Sequence, residues 1–126
     1  MTLVPTYIPS GYRVSQVTAE PGSYSIDYKN SSNGDLIVQM ASDGIGDVIL
    51  DTGTSDEGKT SSRTVKSPVL PTADMQILTS KGRVQFAIGW LDLGDAAKPR
   101  FASIIGDHIS AAVGVKIWQG LRYLKH

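Results

Sequence analysis

Asp51, His108 and His126 are the side chains on which catalytic chemistry in this 126-residue chain would have to rest. Asp51 closes the short apolar run Val48-Ile49-Leu50 and is followed by Thr52 and Gly53, so its carboxylate stands where a strand end enters a turn. His108 and His126 are the only imidazoles. His108 follows Asp107 close to an expected helix start, where an aspartate suits the N-cap position; it reads as a surface residue rather than a general base. Serines are plentiful, yet none sits in a nucleophile-elbow motif. The chain has no cysteine, which excludes disulfides, thiolate zinc sites and cysteine nucleophiles. Asp43-Gly44-Ile45-Gly46-Asp47 lacks the ligand spacing of a calcium loop, leaving at most weak cation binding by an acidic loop. Neither a phosphate-cradling loop nor a dinucleotide fingerprint is present. The sequence thus predicts no resident metal and no cofactor.

The elements that would position these residues follow from periodicity. Pro5, Pro9 and Gly11 punctuate an opening that carries Tyr7, Ile8 and Tyr12. Proline disfavours helix at the residue before it, so this stretch is expected to be extended and to cap one end of the core. Residues 12–18 read as a first strand. In residues 23–29, Tyr24, Ile26 and Tyr28 point one way and Ser25, Asp27 and Lys29 the other. Asn33-Gly34 supplies turn chemistry, and residues 36–41 form the partner strand of an antiparallel meander. Val48–Leu50 is a short apolar run, and residues 52–64, almost wholly polar, read as a mobile loop. Residues 74–79 and 83–91 read as two more strands, the second with Val84, Phe86, Ile88 and Trp90 on one face. Opposite them lie Gln85, Ala87 and Gly89, of which the small Ala87 and Gly89 leave room for a helix or another chain to approach. Residues 94–99 read as a loop.

From Ser103 the period changes. Ile109, Val113, Ile117, Leu121 and Leu124 recur at helical spacing, which predicts an amphipathic helix over 110–124. Gly114 and Gly120 each cost about 1 kcal/mol relative to alanine, less than the roughly 1.5–3 kcal/mol gained per large apolar side chain buried. The fold class expected is α+β: a single domain over 1–126 with an antiparallel sheet of about five or six strands and a C-terminal helix packed on one face. The length suits one domain, and 40% apolar with 19% charged residues is ordinary for a globular chain.

The net charge is zero, so no electrostatic footprint for nucleic acid or anionic membrane exists. Asp43, Asp47, Asp51, Asp56 and Glu57 cluster before Lys59, while Lys98, Arg100, Lys116, Arg122 and Lys125 share the C-terminal part with Asp107; these are solvated surfaces or charges that help select a partner. No apolar run approaches the roughly 18 residues of a membrane span. The opening Met-Thr-Leu-Val-Pro lacks the basic and apolar regions of a signal peptide. A cytosolic protein or a domain of a longer exported chain is expected.

Pro5-Thr6-Tyr7-Ile8-Pro9-Ser10-Gly11-Tyr12 resembles the opening of a bacterial family of unknown function that begins Pro-x-Tyr-Leu-Pro-x-Gly-Tyr. That family occurs in the extracytoplasmic parts of membrane-tethered and anti-sigma-factor-like proteins. Ile26-Asp27-Tyr28-Lys29-Asn30 followed by Leu36-Ile37-Val38-Gln39 is similar to its next strands, and the final helix is similar to its end. The resemblance covers residues 3–40 well and residues 43–83 poorly. It implies an antiparallel sheet with a C-terminal helix, no catalytic residues and a place outside the cytoplasmic membrane.

Val48-Ile49-Leu50-Asp51-Thr52-Gly53 resembles the signature of retroviral-type aspartic proteases, and Ser103-Ile104-Ile105-Gly106 looks like the element before their C-terminal helix. That resemblance implies a homodimer in which Asp51 from each chain shares a proton. The polar residues after Gly53, and the missing glycine-rich flap between Thr64 and Arg83, depart from the pattern.

Three functions are therefore expected in order: a noncatalytic extracytoplasmic binding or sensing module for a protein partner or small envelope ligand; a homodimeric protease with Asp51, Thr52 and Gly53 as its catalytic signature; and a structural dimerisation module using an edge strand or the Ala87/Gly89 face. Trp90, Trp118, Tyr7, Tyr12 and Tyr123 suit the core or its edge. Tyr7, Tyr12 and Trp90 are the candidate binding residues if exposed together.

Overall fold

The computed structural model describes residues 3–20, 23–41, 59–70, 72–80, 82–92 and 100–123. These form, in order, β1 (Leu3–Pro5), β2 (Arg13–Glu20), β3 (Ser23–Lys29), β4 (Asp35–Ala41), β5 (Lys59–Val65), β6 (Ala73–Ser80), β7 (Arg83–Asp92), β8 (Arg100–Asp107), α1 (Ala111–Gln119) and β9 (Leu121–Tyr123). Seven strands make one antiparallel sheet in the order β2-β3-β4-β8-β7-β6-β5, and β1 pairs with β9 in a small ribbon. The α+β class with a C-terminal helix on an antiparallel sheet holds, with more strands than the five or six expected.

The meander β2-β3-β4 follows from local signals. The β3–β4 turn closes on Asn30, whose side chain accepts from the backbone N–H of Ser32 (3.0 Å) and Gly34 (2.6 Å). Asn33 takes the left-handed conformation at φ 67°, which asparagine tolerates. Alternation in β7 puts Phe86 and Ile88 in the core at 1% and 0% exposure. Around them lie Leu36 and Val38 from β4, Ile104 from β8 and Met75 from β6, joined in register across the sheet.

Helix α1 covers this face. Ser110 is its N-cap, the hydroxyl accepting from the Val113 N–H at 3.3 Å. Ile117 and Trp118 are fully buried. The helix rests on the Phe86 ring, which lies between Gly106 of β8 and Gly114 of α1; a Cβ at either glycine would collide with it. At the far end, Gly120 donates to the Lys116 and Ile117 carbonyls at 3.1 Å, and the N–H and hydroxyl of Thr6 both donate to the Gly120 carbonyl. The β1–β9 ribbon lies on the same face: Tyr24 of β3 donates its hydroxyl to the Leu3 carbonyl, and the Leu3 N–H meets Met40 Sδ at 3.0 Å.

Five expectations are corrected. The helix spans 111–119, not 110–124, because the chain after Gly120 turns out to pair with β1; Leu124 lies outside the described residues. Asp107 is not the N-cap but the end of β8, held by Arg83. Residues 100–107, taken in part for the approach to the helix, form a central strand between β4 and β7. Residues 59–64, placed in the polar loop, belong to the strand β5, which runs to Val65. The close approach of the helix uses Gly106 and Gly114 rather than the Ala87/Gly89 face. The runs 48–50 and 94–99 lie outside the described residues.

Candidate functional site

The candidate aromatics do not form one patch. Tyr7 is half-buried on the core and carries the Lys116 ammonium 4.4 Å from its ring centroid, a cation–π contact. Tyr12 packs at the Asn33-Gly34 end of the sheet, with its hydroxyl against Gly34. Trp90 packs at the opposite end, across from Ala102. Trp118 is fully buried and Tyr123 partly so. Asp51, Thr52 and Gly53 lie outside the described residues. His108 adopts φ 58°, donates its backbone N–H to the Val84 carbonyl at 2.9 Å, and sets Nδ1 3.1 Å from Asp107. Among the described residues no serine hydroxyl is bonded to it, and no three acidic or histidine side chains converge on a metal position.

Two features of the sheet remain. The first is polar, at the end of the face opposite α1. Asp27 and Asp35 share a side-chain hydrogen bond, and burial, then the bond and charge of Asp35, push Asp27 up to about 6, with Lys29 opposing. One row further along, Arg83 grips Asp107 with two bonds, Nε to Oδ1 at 2.8 Å and Nη2 to Oδ2 at 2.6 Å. That guanidinium holds Asp107 below the usual carboxylate range against the opposing effect of burial.

The second is the sheet edge at β2. Every residue from Arg13 to Glu20 is exposed, and among the described residues β2 pairs only with β3. Val14 and Val17 are each 57% exposed, the large apolar side chains that face solvent most openly among the described residues. Val14, Val17 and Ala19 stand opposite Tyr28, Ile26 and Tyr24 of β3, with Ser15 bulged out of register. They extend the helix-bearing face beyond the ground that α1 and the ribbon cover. An open edge offers unpaired N–H and C=O groups to another strand.

Neither protein-family models, nor characterised proteins, nor solved structures match the chain.

The contrast between the two edges of the sheet singles out β2. On β5, Thr60, Ser61, Ser62, Arg63 and Thr64 are exposed and polar, the composition of a protected edge. Sequence reasoning found the β2 strand but passed over Val14 and Val17. The available signal was their position in the first strand of a meander, whose outer side has no neighbour among the described residues. Among the described residues no helix is long and apolar enough to cross a membrane.

Proposed function

We propose that this chain is a noncatalytic binding module that engages a protein partner through the β2 edge, and that it belongs outside the cytoplasmic membrane. The observation that carries the binding reading is the fully exposed β2 strand with Val14 and Val17 at 57% exposure, set against a polar β5 edge on the same sheet. A partner strand laid along β2 gains main-chain hydrogen bonds for affinity and side-chain contacts on the Val14/Val17 flank for specificity. The opening Pro5-Thr6-Tyr7-Ile8-Pro9-Ser10-Gly11-Tyr12, with its resemblance to the extracytoplasmic bacterial family, supports the compartment.

The test is site-specific photocrosslinking in cells that make the full-length protein. A photoreactive residue at Val17 should give one defined adduct, one at Ser62 none, and the added substitution Val14→Asp should weaken the Val17 adduct. Equal yields at both edges, or none at either, would remove the binding reading. Peptide hydrolysis by the purified chain that disappears in Asp51→Asn would replace it with the protease.

A further inference from the structure

We propose that the partner strand is β2 of a second copy of this chain, laid antiparallel so that two seven-stranded sheets become one continuous sheet about a two-fold axis. The inference rests on the β2-edge reading and names its occupant. The strand Arg13-Val14-Ser15-Gln16-Val17-Thr18-Ala19-Glu20 is complementary to itself when reversed. Pairing with β3 leaves Ser15 out of register. Keeping the same bulge in both copies and reversing one strand puts Arg13 opposite Glu20, Val14 opposite Ala19, Gln16 opposite Thr18, and Val17 opposite its own copy on the axis. Residues directly opposite in an antiparallel pair share a face. Here every such pair matches: Val14, Val17 and Ala19 fall on the face of Tyr28, Ile26 and Tyr24, and Arg13, Gln16, Thr18 and Glu20 on the face of Lys29, Asp27, Ser25 and Ser23.

Charge supports the same register. Arg13 stands directly across from Lys29 of β3, a like-charge pair that disfavours the ladder. Neither Arg13 nor Glu20 makes an ion pair among the described residues. A second copy's Glu20 beside Arg13 gives the basic pair Arg13 and Lys29 an acid on its open side, as Asp35 does on the other. The same contact recurs at the other end by symmetry, as an isologous interface requires. The zero net charge of the chain sets no long-range barrier to self-association. One strand pair is a small interface, about 25 Å long at 3.2–3.4 Å per residue, so dissociation is expected in the micromolar range rather than below it.

Sedimentation equilibrium of the purified chain across micromolar concentrations tests this, with circular dichroism confirming that each variant is folded. The parent should be a reversible dimer. Arg13→Glu and Glu20→Arg should each raise the dissociation constant about tenfold, since each reversal acts at both ends of the ladder. The double variant R13E/E20R should return to within about threefold of the parent, because the pairs are restored with exchanged signs. The absence of native cysteine gives a second readout. Val17→Cys sits on the axis, where opposed Cβ atoms about 4.5–5.5 Å apart approach disulfide reach. Mild oxidation should yield a disulfide-linked dimer from Val17→Cys and none from Ser62→Cys. A monomer at every concentration, a dimer indifferent to these changes, or a double variant as weak as the single ones overturns the proposal. If the chain is monomeric while the Val17 adduct in cells contains a different protein, self-pairing fails and the β2 binding edge stands; if no adduct forms either, both fail.

Discussion

Replacing Gly114 with alanine should destabilise the protein even though it improves the helix. In an unconstrained helix interior the change gains about 1 kcal/mol. Here the new Cβ would lie 2.5 Å from Cε2 and Cζ of Phe86, so the ring has to retreat by about 1 Å to reach ordinary contact. It has nowhere to go: Phe86 is 1% exposed, and its other side rests on Gly106 of β8. Overpacking costs about 1–3 kcal/mol. With the ring confined on both sides the upper part of that range applies, about 2–3 kcal/mol, which less the propensity gain leaves a net loss of about 1–2 kcal/mol. For a chain of this size that lowers Tm by roughly 3–8 °C. Thermal unfolding followed by circular dichroism or calorimetry reads the change. Phe86→Leu, which shortens the ring's reach, should cost stability alone yet remove the Gly114→Ala penalty when the two are combined, giving a coupling of about 1 kcal/mol or more. A Gly114→Ala variant at least as stable as the parent, with additive behaviour in the double variant, would show that α1 is not seated on this ring.

Further outcomes concern the polar end of the sheet and the helix cap. Asp27 is raised to about 6 from an ordinary value near 3.8, so the folded state holds its proton more tightly than the unfolded chain. The contribution of Asp27 to stability should therefore be greatest below about pH 4 and fall as pH rises to about 6. The loss is roughly 1 kcal/mol once screening by nearby solvent is allowed for. Asp27→Asn should flatten that slope in denaturant unfolding measured across pH 4–7, and an unchanged slope would refute the assignment. Asp107 behaves with the opposite sign: its depressed pKa adds stability above the unfolded value that disappears as pH falls through the folded one. Asp107→Asn or Arg83→Gln should thus weaken the dependence below pH 4, read in acid titrations. Ser110→Ala removes the acceptor for Val113 N–H and should cost about 1 kcal/mol in thermal or denaturant unfolding.

The legible parts of the fold are those decided by neighbours in sequence. Tyr24/Ile26/Tyr28 and Val84/Phe86/Ile88 alternate, and Asn30 to Gly34 carry their own turn chemistry, so the β3 and β7 strands and the β3–β4 hairpin are visible in residue order. The β8 strand is not. Its interior, Ala102-Ser103-Ile104-Ile105-Gly106, is small or apolar throughout because pairing with both β4 and β7 buries it, and such a run has no period that separates a central strand from a buried helix. The β5 strand failed for the opposite reason: an edge that must stay soluble is built from Thr, Ser and Arg, which look like a loop. The helix was cut short by Leu121–Tyr123, whose partner, β1, stands at the other end of the chain. The candidate site has the same cause. Whether Val14 and Val17 are covered depends on which strand, if any, takes the outer side of β2, and residues 13–20 do not encode that by themselves.

The β4–β8 contact divides the sheet into two stretches with different folding histories. On one side, β2, β3 and β4 are joined in chain order, and on the other β5, β6, β7 and β8 are. Each stretch can close by short-range hairpin steps, which are fast. Joining residues 35–41 to 101–107 is the long-range event, and the loop-closure cost of the whole sheet is concentrated there. Until it occurs, the molecule carries two further unpaired edges, each with buried-type residues such as Leu36, Val38 and Ile104. The seam that completes the core is thus also where an unfinished chain is most exposed to pairing with the wrong neighbour.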